Sequence, residues 1–64
     1  MDMLYALISR RKEKKWTQAK LAKKANISRA YYANIEVGRK VPSLAIAKKI
    51  ADVLDTSVDD IFFT

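Results

Sequence analysis

Residues Thr17 to Gly38 read TQAKLAKKANISRAYYANIEVG, and this stretch decides the fold. Thr17 is a natural N-cap, since its hydroxyl can accept from one of the free N–H groups of a following helix. That helix is predicted over about Gln18–Lys24, burying Ala19, Leu21 and Ala22 and exposing Lys20, Lys23 and Lys24. The turn is Ala25-Asn26-Ile27-Ser28, in which Asn26 can adopt the left-handed backbone that ends a helix. Ile27 fills the angle between the helices, and Ser28 caps a further helix running to about Glu36 or Val37. Tyr32 and Ile35, three apart, share its buried side. Ser28, Arg29, Ala30 and Asn34 then form a polar, cationic face pointing away, and Gly38 closes the helix. A helix of that kind, held at a fixed angle by a partner, suits the major groove of B-DNA.

Outward from this pair the helical pattern continues in both directions. From Met3 to Lys14, Leu4, Leu7, Ile8 and Arg11 fall on one stripe of a first helix. Trp16, just before the Thr17 cap, is placed to pack on Leu21 as a hydrophobic staple. On the other side, Arg39-Lys40-Val41-Pro42 reads as a basic loop and Ser43 as the cap of a fourth helix. Leu44, Ala47, Ile50, Ala51 and Leu54 follow that helix's spacing, which leaves Ile46 off the core stripe. Ser57-Val58-Asp59-Asp60 matches a capping box with Asp in place of Glu, opening a short fifth helix that carries Ile61, Phe62 and Phe63. The expected architecture is all-α: one compact five-helix domain over residues 1–64, with a helix-turn-helix at about 17–37 and helices 4 and 5 at about 43–63.

Sixty-four residues must build an economical core, and with no cysteine neither a disulfide nor a thiolate metal site can staple it. The chain has no histidine, the commonest general base and metal ligand, and no glycine-rich phosphate loop. No catalytic residue, metal site or cofactor is therefore expected, and an enzyme is nearly excluded. The apolar run Met3–Ile8 is too short for a signal peptide or a membrane span, so a cytoplasmic protein is expected.

Charge is unevenly distributed. All thirteen Lys and Arg residues lie between Arg10 and Lys49, opposed there only by Glu13 and Glu36, a local balance of +11. From Ile50 onward there are four aspartates and no basic residue, a balance of −4. A basic body with an acidic end fits a polyanion-binding face on one side of the domain.

The run T-Q-x-x-L-A, I-S, I-E-x-G, P-S-L-x-x-A-x-x-I-A-x-x-L and S-V-D-D-I-F, spaced as it stands from about Leu7 to Phe62, resembles the phage repressor/Cro-type helix-turn-helix family, often called Xre-like. The resemblance is strongest to short stand-alone regulators ending in a "DIF" helix. It implies base contacts from Ser28, Arg29, Ala30 and Asn34, with phosphate contacts from Thr17, Arg39 and Lys40. It also implies that Gln18 braces the DNA backbone and often the first recognition residue, and that Arg11 pairs with Glu36 as a structural ion pair. Departures from the family pattern are Asn26 and Lys15, where glycine is usual, and Arg10, where an apolar residue often stands.

The chemistry of these side chains is consistent with such roles. Arg29 could grip guanine O6 and N7 for roughly 1–3 kcal/mol of discrimination, or make a plain phosphate contact. Asn34 could pair with adenine N6 and N7 or sit as a polar residue at the groove rim. Ala30 at most meets a thymine methyl, and Tyr31 has a phosphate, a thymine methyl or an ordinary surface position open to it. Thr17 and Gln18 lie at a helix N-terminus, which favours a phosphate. One recognition helix reads only a few base pairs, so a homodimer on a near-palindromic double-stranded DNA site is expected, with its two helices about 34 Å apart. Ile46, Ile61, Phe62 and Phe63 are the candidate dimer residues, and no small-molecule effector is evident. The sequence reads as that of a repressor. The rival reading is an antitoxin or adaptor that uses the same fold to bind protein. RNA is disfavoured, because there is no strand platform with paired aromatics to seat unpaired bases.

Overall fold

The computed structural model describes residues 3–63, and its helices are α1 (Tyr5–Glu13), α2 (Gln18–Lys24), α3 (Arg29–Glu36), α4 (Leu44–Val53) and α5 (Val58–Phe62). Four of the five start at a hydroxyl residue. Thr17, Ser28, Ser43 and Ser57 each accept the backbone N–H three residues on, at 3.1, 3.0, 3.2 and 3.2 Å. Each bond satisfies one of the orphan donors of a helix N-terminus. The exception is α1, shorter than the sequence pattern suggests. Its flanking residue, Leu4, gives its N–H to the Glu36 carbonyl at 2.8 Å rather than extending the helix backward. At the other end Lys14 is the C-cap.

The ends of α1 to α4 close by one device. Lys15, Asn26, Gly38 and Asp55 stand just past α1, α2, α3 and α4 with φ of 59°, 59°, 82° and 55°. In each case the N–H of the following residue reaches back five positions. The bonds are Trp16 to Arg11 (3.3 Å), Ile27 to Ala22 (2.9 Å), Arg39 to Asn34 (2.9 Å) and Thr56 to Ala51 (3.0 Å). These are Schellman closures, which satisfy helix carbonyls and turn the chain sharply. Asn26 behaves as its residue type suggests. Lys15 holds the same left-handed conformation with a Cβ that disfavours it.

The core is a single cluster that draws Leu7 from α1, Leu21 and Ala22 from α2, Tyr32 and Ile35 from α3, Ile50 and Ala51 from α4 and Ile61 from α5. Helix α2 packs on α3 and α4, and α1 on α5 and α3, within extents of 23 × 21 × 20 Å. Ala19, expected inside, is exposed, and Ala25 is buried instead. A residue two positions from Leu21 points about 200° round the helix, whereas Leu21, Ala22 and Ala25 share one face. Leu44 is also exposed, because the first residue of α4 overhangs the core that Ala47 and Ile50 enter. Trp16 lies half-buried against the cluster that contains Leu21.

Candidate nucleic-acid interface

Helix α3 turns Tyr32, Ile35 and Glu36 inward, and this alone determines what it offers outward. Ser28, Arg29 and Ala30 are exposed at its N-terminal end, while Tyr31, Ala33 and Asn34 are half-buried along its flank. Arg29 makes no ion pair among the described residues, leaving its guanidinium available. The Ser28 hydroxyl already accepts the Tyr31 N–H, so its hydrogen is what remains to donate elsewhere. Tyr31 leans on the core, which restrains its ring.

Just past α3, the N–H groups of Arg39 and Lys40 both donate to the Asn34 carbonyl, at 2.9 and 3.2 Å. The Gly38 turn thus folds the basic loop back onto the helix end, with both side chains exposed beside the Asn34 backbone. Thr17 stands at the start of α2 with its hydroxyl engaged as a cap.

One buried carboxylate ties three helices together. Glu36, 2 % exposed, accepts Arg11 Nε–H at 2.6 Å and Arg11 Nη2–H at 3.3 Å. It also accepts Gln18 Nε2–H at 2.9 Å and the Tyr32 hydroxyl. The third Arg11 nitrogen, Nη1, donates to the Trp16 carbonyl at 2.8 Å, immediately before the α2 cap. Burial opposes ionisation of Glu36, but the hydrogen bonds from Arg11, Tyr32 and Gln18 outweigh it and hold the carboxyl below the usual range. Burial and the bond to Glu36 push the Tyr32 phenol above its ordinary value, and the Glu36 bond raises the Arg11 guanidinium. The Arg11–Glu36 contact is the ion pair that the family resemblance implies. The parts played by Tyr32 and Gln18 were not foreseen. The available signal was the four-residue spacing of Tyr32 and Glu36, which puts both on one face of a helix.

The lysines divide into two groups. Lys14 and Lys24 hold their ammonium groups 5.4 and 5.0 Å from the centre of the Trp16 ring. Lys14 also lies 3.6 Å from Asp55, and Lys48 pairs with Asp52 at 2.8 Å. Lys12, Lys15, Lys20, Lys23, Lys40 and Lys49 make no ion pair among the described residues and are exposed.

The residues picked out for a dimer surface do not stay together. Ile61 is 1 % exposed and belongs to the core, because it is the position of α5 that faces α1 and α4 across the cluster. It offers no surface to a partner. Ile46 and Phe62 are half-buried against the same cluster. Phe63 is 74 % exposed, as are Val41 (81 %) and Leu44 (76 %), and these three line an open groove of about 600 Å³ with Ile35, Val58 and Phe62.

A helix-turn-helix family model matches residues 7–61. Among relatives, an immunity repressor protein of Bacillus phage phi105 is 49 % identical over 51 residues, covering 80 % of this chain and 35 % of that one. The transcriptional regulator YqaF of Bacillus subtilis, of helix-turn-helix type, is 50 % identical over 44 residues, covering 69 % of this chain and 58 % of its own length. Matching under two thirds of either relative, the chain corresponds to only part of each. Among solved structures, the clp gene regulator ClgR from C. glutamicum superposes with a TM-score of 0.80 at 33 % identity, over 91 % of this chain and 75 % of ClgR.

Proposed function

The chain belongs to the helix-turn-helix family, of the Xre-like kind, and from that premise we propose that it is a repressor that binds double-stranded DNA in a sequence-specific manner as a homodimer. It acts in the cytoplasm by occupying a promoter, with α3 in the major groove. Ser28, Arg29 and Asn34 read base edges there, with Ala30 leaving room or meeting a thymine methyl. Thr17, Gln18, Tyr31, Arg39 and Lys40 meet the backbone on either side. The observation that carries this reading is the arrangement around α3: an Arg29 without an ion pair among the described residues at the exposed N-terminal end, and a basic loop fastened to the Asn34 carbonyl at the other. The phage repressor relative supports repression as the output.

The second copy docks through the apolar groove, with Phe63 as the principal contact, Phe62 beside it in the lining, and Ile46 outside the lining on the same helix as Leu44. The exposed Val41 and Leu44 continue that surface. The two α3 helices would then enter successive major-groove faces about 34 Å apart on a near-palindrome.

Selection from a random duplex pool, followed by titration of the recovered duplex and of unselected duplex at two salt concentrations, tests this. The expected result is a preference for the recovered duplex that Arg29→Ala reduces by about tenfold or more. Binding to unselected duplex should keep a slope of about 0.9 per phosphate neutralised. Wild-type protein without preference, or Arg29→Ala with undiminished preference, would sink the base-reading assignment.

A further inference from the structure

Gln18 sits at the start of α2 on the proposed DNA side, yet one of its two amide hydrogens is held by Glu36 Oε1 at 2.9 Å. The chemistry of the carboxylate dictates which way the amide faces. Glu36 takes two bonds from Arg11 and one from Tyr32, and an ionised carboxylate only accepts. Turning the Gln18 amide over would set its oxygen against Oε1, two acceptors at hydrogen-bond distance with no proton between them. The Gln18 nitrogen therefore faces in and the Gln18 Oε1 faces out. Free glutamine would present either group to whatever approaches.

We propose that Glu36 and Tyr32 are positioning residues for DNA recognition, acting through Gln18: they lock its amide so that the start of α2 presents a fixed acceptor, Oε1, beside a single remaining N–H. The inference rests on the DNA-reading face proposed above and sharpens the part Gln18 plays in it. A phosphate has only acceptor oxygens, so Oε1 cannot clamp the backbone. Only the remaining N–H can reach a phosphate, while Oε1 takes a donor, such as an exocyclic amino group of adenine or cytosine or a side-chain N–H that itself reads a base. Gln18 thereby contributes to discrimination as well as to attraction. Tyr32 takes part because it binds Oε2, sharing that oxygen with Arg11 Nε. Without its hydroxyl the carboxylate can rotate toward Arg11, and Glu36 Oε1 leaves the Gln18 nitrogen.

A double-mutant cycle on discrimination tests this, using the duplex recovered from the random pool and unselected duplex as the two probes. Tyr32→Phe keeps the ring in the core and removes only the hydroxyl. Gln18→Ala removes the group being positioned. Each is expected to lower the preference for the recovered duplex about threefold to tenfold, and Gln18→Ala to weaken binding to unselected duplex as well, by the phosphate contact it loses. In the Gln18→Ala background, Tyr32→Phe should cost nothing further, because its effect runs through Gln18. Losses that add, or a Gln18→Ala protein that discriminates as well as wild type, would overturn the proposal. A second measurement needs no variant. In wild-type protein, NMR should show the two Gln18 side-chain amide hydrogens well separated, one of them slow to exchange and staying so on the recovered duplex. Two ordinary, rapidly exchanging resonances would equally overturn it. A wild-type protein with no preference at all refutes sequence-specific reading itself, an outcome distinct from additive losses in the cycle.

Discussion

Replacing Glu36 by Gln keeps the shape of the side chain and exchanges one accepting oxygen for a donating nitrogen. In the native arrangement Oε2 accepts from Arg11 Nε at 2.6 Å and from Tyr32, while Oε1 accepts from Gln18 at 2.9 Å and Arg11 Nη2 at 3.3 Å. With the new nitrogen at the Oε2 position, the Tyr32 hydroxyl can turn and accept, and Gln18 keeps its oxygen. Arg11 then faces a donor with its shortest bond lost and no counter-charge, at a site where it is only 9 % exposed. Removing one partner of a buried pair costs about 3–5 kcal/mol because the other charge stays buried. The retained bonds place this case near 3 kcal/mol. A domain of this length has about 3–10 kcal/mol in total, so Glu36→Gln should leave it marginal. The melting temperature should fall by about 12–24 °C. Urea titration followed by far-ultraviolet circular dichroism reads the loss directly, with Trp16 fluorescence as a second probe of the α1–α2 junction. Replacing the pair together, Arg11→Met with Glu36→Leu, should recover much of the loss, since the cost lies in the orphaned charge. A Glu36→Gln protein that loses less than about 1 kcal/mol at unchanged m-value would refute the argument that Arg11 depends on this carboxylate.

Because the folded state holds the Glu36 carboxyl below its unfolded value, its contribution is fully present above the usual carboxylate range. That contribution drains as pH falls through the folded value, so acid titration of wild-type stability should show a loss absent from Arg11→Met/Glu36→Leu. Tyr32 works in the opposite sense: its phenol is raised, so stability should decline as pH rises above about 10, and Tyr32→Phe should flatten that limb. Lys15→Gly should stabilise the domain by about 0.5–1 kcal/mol in urea titration, because Lys15 holds φ of 59° with a Cβ that glycine lacks. A loss instead would mean that the Lys15 side chain contributes more than its backbone strain costs. Phe63→Asp places a charge in the apolar groove and should shift sedimentation equilibrium toward monomer without changing the helical signal. An unchanged dimer would remove Phe63 from the interface.

Local chemistry determined most of what the sequence alone established. Thr17, Ser28, Ser43 and Ser57 mark four helix starts because a cap bond spans only three residues. Gly38 and Asn26 mark helix ends because left-handed backbone is a property of the residue itself. The outward face of α3 follows from the three-residue spacing of Tyr32 and Ile35, so Ser28, Arg29 and Ala30 were legible as exposed before any packing was known. What depended on distance in the chain was not. The Arg11–Glu36 contact joins residues 25 apart and the Gln18–Glu36 bond residues 18 apart, and residue spacing along the chain carries neither. The family resemblance supplied the first pairing but not the second, nor the Tyr32 hydroxyl's share in it. Ile61, Phe62 and Phe63 are adjacent and similarly apolar, yet one is core, one half-buried and one exposed, because α5 meets α1 and α4 on a single face. Leu44 fitted the stripe of α4 but overhangs the core, since periodicity gives a direction around the helix axis and says nothing of how far along it the core extends. The sequence thus determined the helices and the face that α3 presents. Only tertiary packing decided which apolar residues remain at the surface and how one buried carboxylate orients Gln18.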